Sequence, residues 1–219
     1  MNLIITLILL LFPINQTEAR RQEPLKEAEK EGILLMREEE KLAHDVYLHF
    51  TEQWNIPVFN NIRNSETRHF EAVGFLLEEF ELNDPIYKKT GKFRNQELAL
   101  LYDSLTNKNS RSLVGALKAG ALVEEIDIQD LQQLISETNN ETIISIYQNL
   151  LRASENHIRA FTRQLSFQGI EYVPQILSED EYKSLINTPH QPGNGMGNMM
   201  QPPNNFNGKG RMRHGGRIY

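Results

Sequence analysis

The sequence contains no cysteine. Disulfides, zinc–thiolate clusters and thiol nucleophiles are thereby excluded, and this count carries no signature of a redox compartment. A basic excess is also missing. The formal net charge is −6, which argues against nucleic acid as the main partner. No nucleophile elbow, phosphate loop, dinucleotide fingerprint or zinc-protease motif occurs, and Gly91-Lys92 stands without the other glycines a phosphate loop needs. No stretch alternates apolar and polar residues with β-branched enrichment, so strands are not expected. Long apolar runs are scarce as well. Leu3 to Phe12 spans about ten residues, too short to cross a bilayer as a helix. Small or polar residues follow it around Thr17 to Ala19, which reads as a signal peptide over residues 1–19. The expectation is a secreted, periplasmic or cell-surface protein with no integral membrane span in the mature chain.

What the chain does have is helical periodicity. Of 219 residues, 39% are hydrophobic and 24% charged, as in a globular protein. The region 25–169 is long enough to bury a core without covalent staples. Four long amphipathic segments lie within it, at about 25–54, 57–81, 110–137 and 141–167. Pro57 fits the first turn of the second, Ser110 is taken as the N-cap of the third, and Gly169 suits the C′ position after the fourth. Short turns join the first pair and the last pair, so each pair is an antiparallel hairpin. A longer connection, about 83–109, carries one short helix near 96–105. A capping box, Ser178 to Glu181, opens a last short helix in the segment 170–187. The fold expected is all-α: an antiparallel four-helix bundle of ferritin-like connectivity, with a long crossover that carries a short helix. From 188 to 219 Gly, Asn, Pro, Met and Gln dominate, which reads as a disordered tail.

Alternating steps of three and four pick out the inward stripe of each long helix. The stripes are Ile33, Met36, Glu40, Ala43, Tyr47, Phe50 and Trp54; then Phe59, Ile62, Glu66, His69, Val73, Leu76 and Phe80. The third is Leu113, Leu117, Gly120, Glu124, Asp127, Leu131 and Leu134; the fourth is Ile143, Tyr147, Leu150, Ser154, His157 and Phe161. Each is apolar except near its middle. Glu40, Glu66, His69, Glu124, Asp127, Ser154 and His157 therefore fall at one depth. Burying several ionised carboxylates together is very costly, because they repel one another and lose hydration. A divalent cation removes the conflict. The spacing of Glu66 and His69, three residues apart, sets both on one helical face. Each candidate also has an ordinary reading: Glu66 with His69 as a buried hydrogen-bonded pair, His157 as a satisfied core histidine, Tyr47 and Tyr147 as core aromatics.

The run Met36-Arg-Glu-Glu-Glu-Lys-Leu-Ala-His-Asp-Val-Tyr47 resembles the first-helix signature of the DUF2202 family, placed in the ferritin-like superfamily. Ser65-Glu-Thr-Arg-His69, Gly120-Ala-Leu-Val-Glu-Glu-Ile-Asp-Ile-Gln-Asp-Leu131 and Ser154-Glu-Asn-His-Ile-Arg-Ala-Phe161 carry the same resemblance on the other three helices. The Glu-x-x-Ala-x-x-x-Tyr run from Glu40 to Tyr47 is also similar to helix one of rubrerythrins. The resemblance implies a ferritin-like fold and puts Glu40, Glu66, His69, Glu124 and His157 on metal-ligand positions. Iron or manganese is the metal it implies, with oxidation of the metal or removal of peroxide as the activity.

One feature departs from that pattern. Ser154 stands where such proteins carry a carboxylate three residues before the last histidine, so Asp127, Glu125 or Glu155 is a candidate substitute. A mononuclear site, a dinuclear site and a metal-free module are all open. Glu38-Glu39-Glu40 reads as a run of which at most one or two residues face inward, with Glu39 the rival of Glu40. His44 and His49 read as surface or supporting residues. Met196, Met199, Met200 and Met212 with His190 and His214 make copper handling by the tail an alternative, against a plain extension. The partners expected are metal ions, with a homodimer left open.

Overall fold

The computed structural model describes residues 24–108 and 111–191. The expected signal segment, the Ser110 cap and the tail from 192 onward lie outside the described residues. Among the described residues there are six helices and no strand: α1 (Glu27–Trp54), α2 (Pro57–Glu79), α3 (Gln96–Lys108), α4 (Leu113–Glu137), α5 (Glu141–Phe167) and α6 (Glu179–Asn187). No helix among these residues is long and apolar enough to cross a membrane.

Local chemistry accounts for the helix limits. Asn55 adopts a left-handed φ of 46° and ends α1, and Pro57 begins α2 in its first turn. The third long helix starts later than the sequence suggested. Ser112 caps it, its hydroxyl accepting the Gly115 N–H at 3.0 Å. Asn140 caps α5 through Thr142 and Ile143, and Gly169 follows α5 with φ +71°, as expected of a C′ glycine. The capping box from Ser178 to Glu181 is present at α6.

The long helices pack as α1 on α2 and α4 on α5, with α1 against α4 and α2 against α5. Facing pairs run in opposite order along neighbours. Tyr47 meets Gly120 and Glu124, whereas Gly32 meets Leu134, so α1 and α4 are antiparallel. The interior divides into two apolar clusters. One holds Phe50, Phe59, Leu117 and Phe161; the other holds Ile33, Met36, Val73, Leu76, Leu131 and Tyr147. Burial of such side chains contributes about 1.5–3 kcal/mol each. The polar stripe positions lie between the two clusters.

The connection from α2 to α4 is bound to α1 by buried charges. Arg37 pairs with Asp84 at 2.7 Å and lies over the Phe70 ring. Glu38 accepts the N–H groups of Arg94 (2.5 Å) and Asn95 (2.9 Å), just ahead of α3. Asp45 accepts from Lys41 at 2.5 Å and from the Gly91 N–H at 2.9 Å. Gly91 has φ +68°, and a Cβ there would lie 2.6 Å from the Tyr102 ring, so only glycine fits this turn. All three glutamates of the α1 run are buried, Glu38 because the crossover supplies it with backbone donors.

Gly120 gives the first apolar cluster its shape. A Cβ at this position would lie 2.7 Å from two ring carbons of Phe161, which itself packs against Tyr47 and Phe59 with centroids 5.4 and 5.7 Å apart. We predict that Gly120→Ala destabilises the protein by about 1–3 kcal/mol through overpacking. Urea denaturation checks this; an unchanged midpoint would contradict the packing described.

Candidate metal centre

Glu66 sits at the middle of the polar layer and is 2% exposed. Its two oxygens face two different histidines. Oε2 is 2.7 Å from Nδ1 of His69, three residues along the same helix. Oε1 is 2.9 Å from Nδ1 of His157, which α5 supplies. His69 Nδ1 also lies 3.4 Å from Glu40 Oε2 on α1, and His157 Nδ1 lies 3.3 Å from Glu124 Oε2 on α4. The imidazole rings stack with centroids 5.5 Å apart. Two groups of ligand atoms result, each within 4.8 Å of one another: Glu40, Glu66 and His69, and Glu66, Glu124 and His157. Glu66 belongs to both.

Close approach here is not the same as hydrogen bonding. Glu66 Oε1 and His157 Nδ1 are buried and neither makes a hydrogen bond, although they are 2.9 Å apart. Glu40 Oε1 is likewise buried without a partner. Orphaned polar atoms are rare in interiors because each costs about 1–3 kcal/mol. Three in one layer, aimed at neighbouring donor atoms, fit a cation between them. Three carboxylates with two imidazoles form a donor set suited to first-row divalent metals.

Without metal the layer balances its charge with protons. Burial alone would lower His157, but the carboxylates of Glu66 and Glu124 outweigh it and push its pKa up to about 10. Burial also opposes the charge on His69, yet Glu66 and Glu40 raise it well above the ordinary value. Burial would raise Glu66, but His69 and His157 hold its carboxyl well below the usual carboxylate range. Burial raises Glu40 and Glu124 in spite of the nearby histidines.

The remaining candidates have distinct places. Asp127 does not join either ligand group; it accepts a hydrogen bond from Ser154 across the α4–α5 seam. Burial and then the charge of Glu124 push Asp127 up to about 7. Asp127 and Ser154 thus tie α4 to α5 beside the layer. Glu125 does not substitute, since it turns outward. It accepts the Tyr172 hydroxyl and the N–H groups of Gln175, Ile176 and Leu177, and so holds the chain that follows α5. Glu155 pairs with Arg159 at 3.5 Å on the outer face of α5. Glu39 is not an alternative to Glu40: both are buried, and Glu39 faces Asp130 and Asp127 instead. Tyr47 donates to Glu124 and orients it, so this aromatic is also part of the layer. The Tyr147 hydroxyl is buried without a hydrogen-bond partner. His44 contacts Asp45 at 3.2 Å and the ring of His49 packs on Phe50, away from both ligand groups. Sequence reasoning missed Arg37, Glu38, Lys41, Asp45 and Glu125 as buried groups. Their loop partners lie about fifty positions away, where helical spacing carries no trace of them, although Lys41 and Asp45 also pair with each other four residues apart.

Residues 29–189 match the family described as "Uncharacterized protein domain (DUF2202)". The chain is 44% identical over 173 residues to Uncharacterized protein MJ0754 of Methanocaldococcus jannaschii, across 78% of this chain and 94% of that protein. The crystal structure of hypothetical protein MJ0754 from Methanococcus jannaschii superposes with a TM-score of 0.76 and 44% identity, covering 78% of this chain and 98% of that one.

The raised histidines predict a pH dependence. A histidine whose folded pKa exceeds its unfolded value stabilises most below the unfolded value and loses that contribution as pH rises through the folded one. His157 titrates at about 10 when folded, against 6.5 ordinarily. The metal-free protein should therefore lose thermal stability between about pH 7 and pH 10, with a shallower loss in Glu66→Gln. Thermal melts across that range check it. Identical profiles for the two proteins would contradict the charge arrangement.

Proposed function

The chain belongs to the DUF2202 family, and on that premise we propose that it is a ferritin-like protein whose bundle centre binds two divalent transition-metal ions, iron or manganese. One observation carries the reading. The carboxylate of Glu66 faces a different imidazole with each oxygen, and its contact with His157 is close without being a hydrogen bond. Glu40, Glu66 and His69 would hold one ion, and Glu66, Glu124 and His157 would hold the other.

The bound metals would supply redox chemistry toward dioxygen or peroxide, and the activity we propose is iron oxidation or peroxide removal. The chain's own contribution is position, charge and dryness. Two apolar clusters exclude water above and below the layer. Tyr47 fixes Glu124 through its hydroxyl. His69 and His157 would have to give up their protons to act as ligands, so binding would strengthen as pH rises toward about 10. Asp127, near 7, can hold or give up a proton beside Glu124 at neutral pH.

A second reading is a metal-free structural module. It is favoured by the histidine protons, which already offset most of the layer's negative charge. The third, copper handling by Met196, Met199, Met200, Met212, His190 and His214, concerns a segment mostly outside the described residues. Export by residues 1–19 is a separate proposal, tested by N-terminal sequencing of the mature protein. Homodimer formation is another, tested by light scattering.

Metal analysis separates the first two readings. Reconstitution with Fe(II) or Mn(II) should give about two ions per chain and raise stability by about 3–4 kcal/mol at saturating metal. Glu66→Ala should lower the content below about half an ion per chain. Fewer than about 0.2 ions per wild-type chain, with an unchanged melting temperature, would contradict the proposal.

A further inference from the structure

The bundle centre needs a path from solvent, and the α1–α4 seam is where a small cavity approaches it. A cavity of about 20 Å³ lies there, with Glu39, Asp127, Glu66 and Glu124 on its polar side and Leu98 and Leu101 of α3 among its apolar lining. That volume holds about one water-sized particle. It borders Glu66 and Glu124, which the preceding reading makes ligands, and so connects them with Glu39.

Glu39 is the unexplained residue of this seam. It is 8% exposed, and its Oε2 is buried with no hydrogen-bond partner. The charged groups that act on it, Asp130, Asp127 and Glu40, are all acidic. Other buried acids near the surface of the bundle are treated differently. Glu38 receives two backbone N–H groups, Glu125 a tyrosine hydroxyl and backbone N–H groups, and Asp45 a lysine. The side-chain hydrogen bond Glu39 does make runs to another carboxyl, that of Asp130; burying such a pair is costly, and a passing cation is the species that would lower the cost. Asp130 is only half-buried and its carboxyl contacts that of Glu39. Asp130 and Asp127, both half-buried, thus act on the more deeply buried Glu39, and Glu39 and Asp127 line the cavity. Their ligand atoms do not converge as those of the two central groups do, which suits passage and not retention.

We propose that Asp130, Glu39 and Asp127 are the route by which a divalent cation reaches the bundle centre, with Glu39 as a transient ligand beside the cavity under α3. The inference rests on the central site being a metal site. Each carboxylate replaces part of the ion's hydration as it leaves water, and the leucines of α3 keep bulk solvent out.

The test is the rate of Mn(II) uptake by the full metal-free chain, stopped at intervals with a chelator. Glu39→Gln and Asp130→Asn should each load about tenfold or more slowly than wild type and reach the same final content. Glu137→Gln, an exposed acid on the same helix, should load at the wild-type rate. Asp130→Asn alters a half-exposed group, so it keeps the test open if the Glu39 variant folds poorly. Wild-type rates in both variants would overturn the route while leaving the central site standing. A lower final content in Glu39→Gln would make Glu39 a permanent ligand and overturn its transient role. A wild-type chain that takes up no Mn(II) would overturn the central site and the route together.

Discussion

The structure depends on one carboxylate placed between two imidazoles. Glu66 is buried, ionised and flanked by His69 and His157, each of which also faces a further carboxylate. Such a group cannot be sealed in an apolar interior without opposite charge nearby. Protonated histidines meet that need in the metal-free chain, and divalent cations meet it better, because one ion can satisfy several oxygens at once. The unpartnered atoms Glu40 Oε1, Glu66 Oε1 and His157 Nδ1 mark where protons fall short.

The fold serves that constraint by clamping the layer. Apolar clusters above and below fix the depth of each helix, and the antiparallel hairpins bring one polar segment from each of the four long helices to the same level. A second set of buried charges does a different task. Arg37, Glu38 and Asp45 bind the crossover to α1, while Glu125 binds the segment after α5. These groups satisfy their hydrogen bonds fully, whereas the central ones do not. That contrast sets the residues that hold the chain together apart from those of the layer that could hold a metal ion.

Much of this was legible in the sequence, and the reason is periodicity. Glu40, Glu66, Glu124 and His157 interrupt apolar stripes at the same depth, and a helix converts spacing directly into facing. The later start of α4 was missed because several polar residues before Leu113 can serve as caps, and the stripe does not choose between them. The burial of Glu38 and Glu125 was not legible, for a deeper cause. Their partners are backbone N–H groups of remote loops, which leave no mark on local pattern. Spacing alone also left the choice between Glu39 and Glu40 open, since both are buried. A helix covered on two sides buries adjacent positions against different neighbours, here the bundle centre for Glu40 and the α4 aspartates for Glu39. The hydrogen bond from Ser154 to Asp127 needed coordinates, since the two residues come from separate helices.

The most direct measurement is an anomalous-scattering map of crystals grown with Mn(II). The account predicts two peaks on either side of Glu66, one bonded to Glu40 and His69 and the other to Glu124 and His157, at about 2.0–2.3 Å. An interior without any peak, with manganese confined to surface carboxylates, would contradict it.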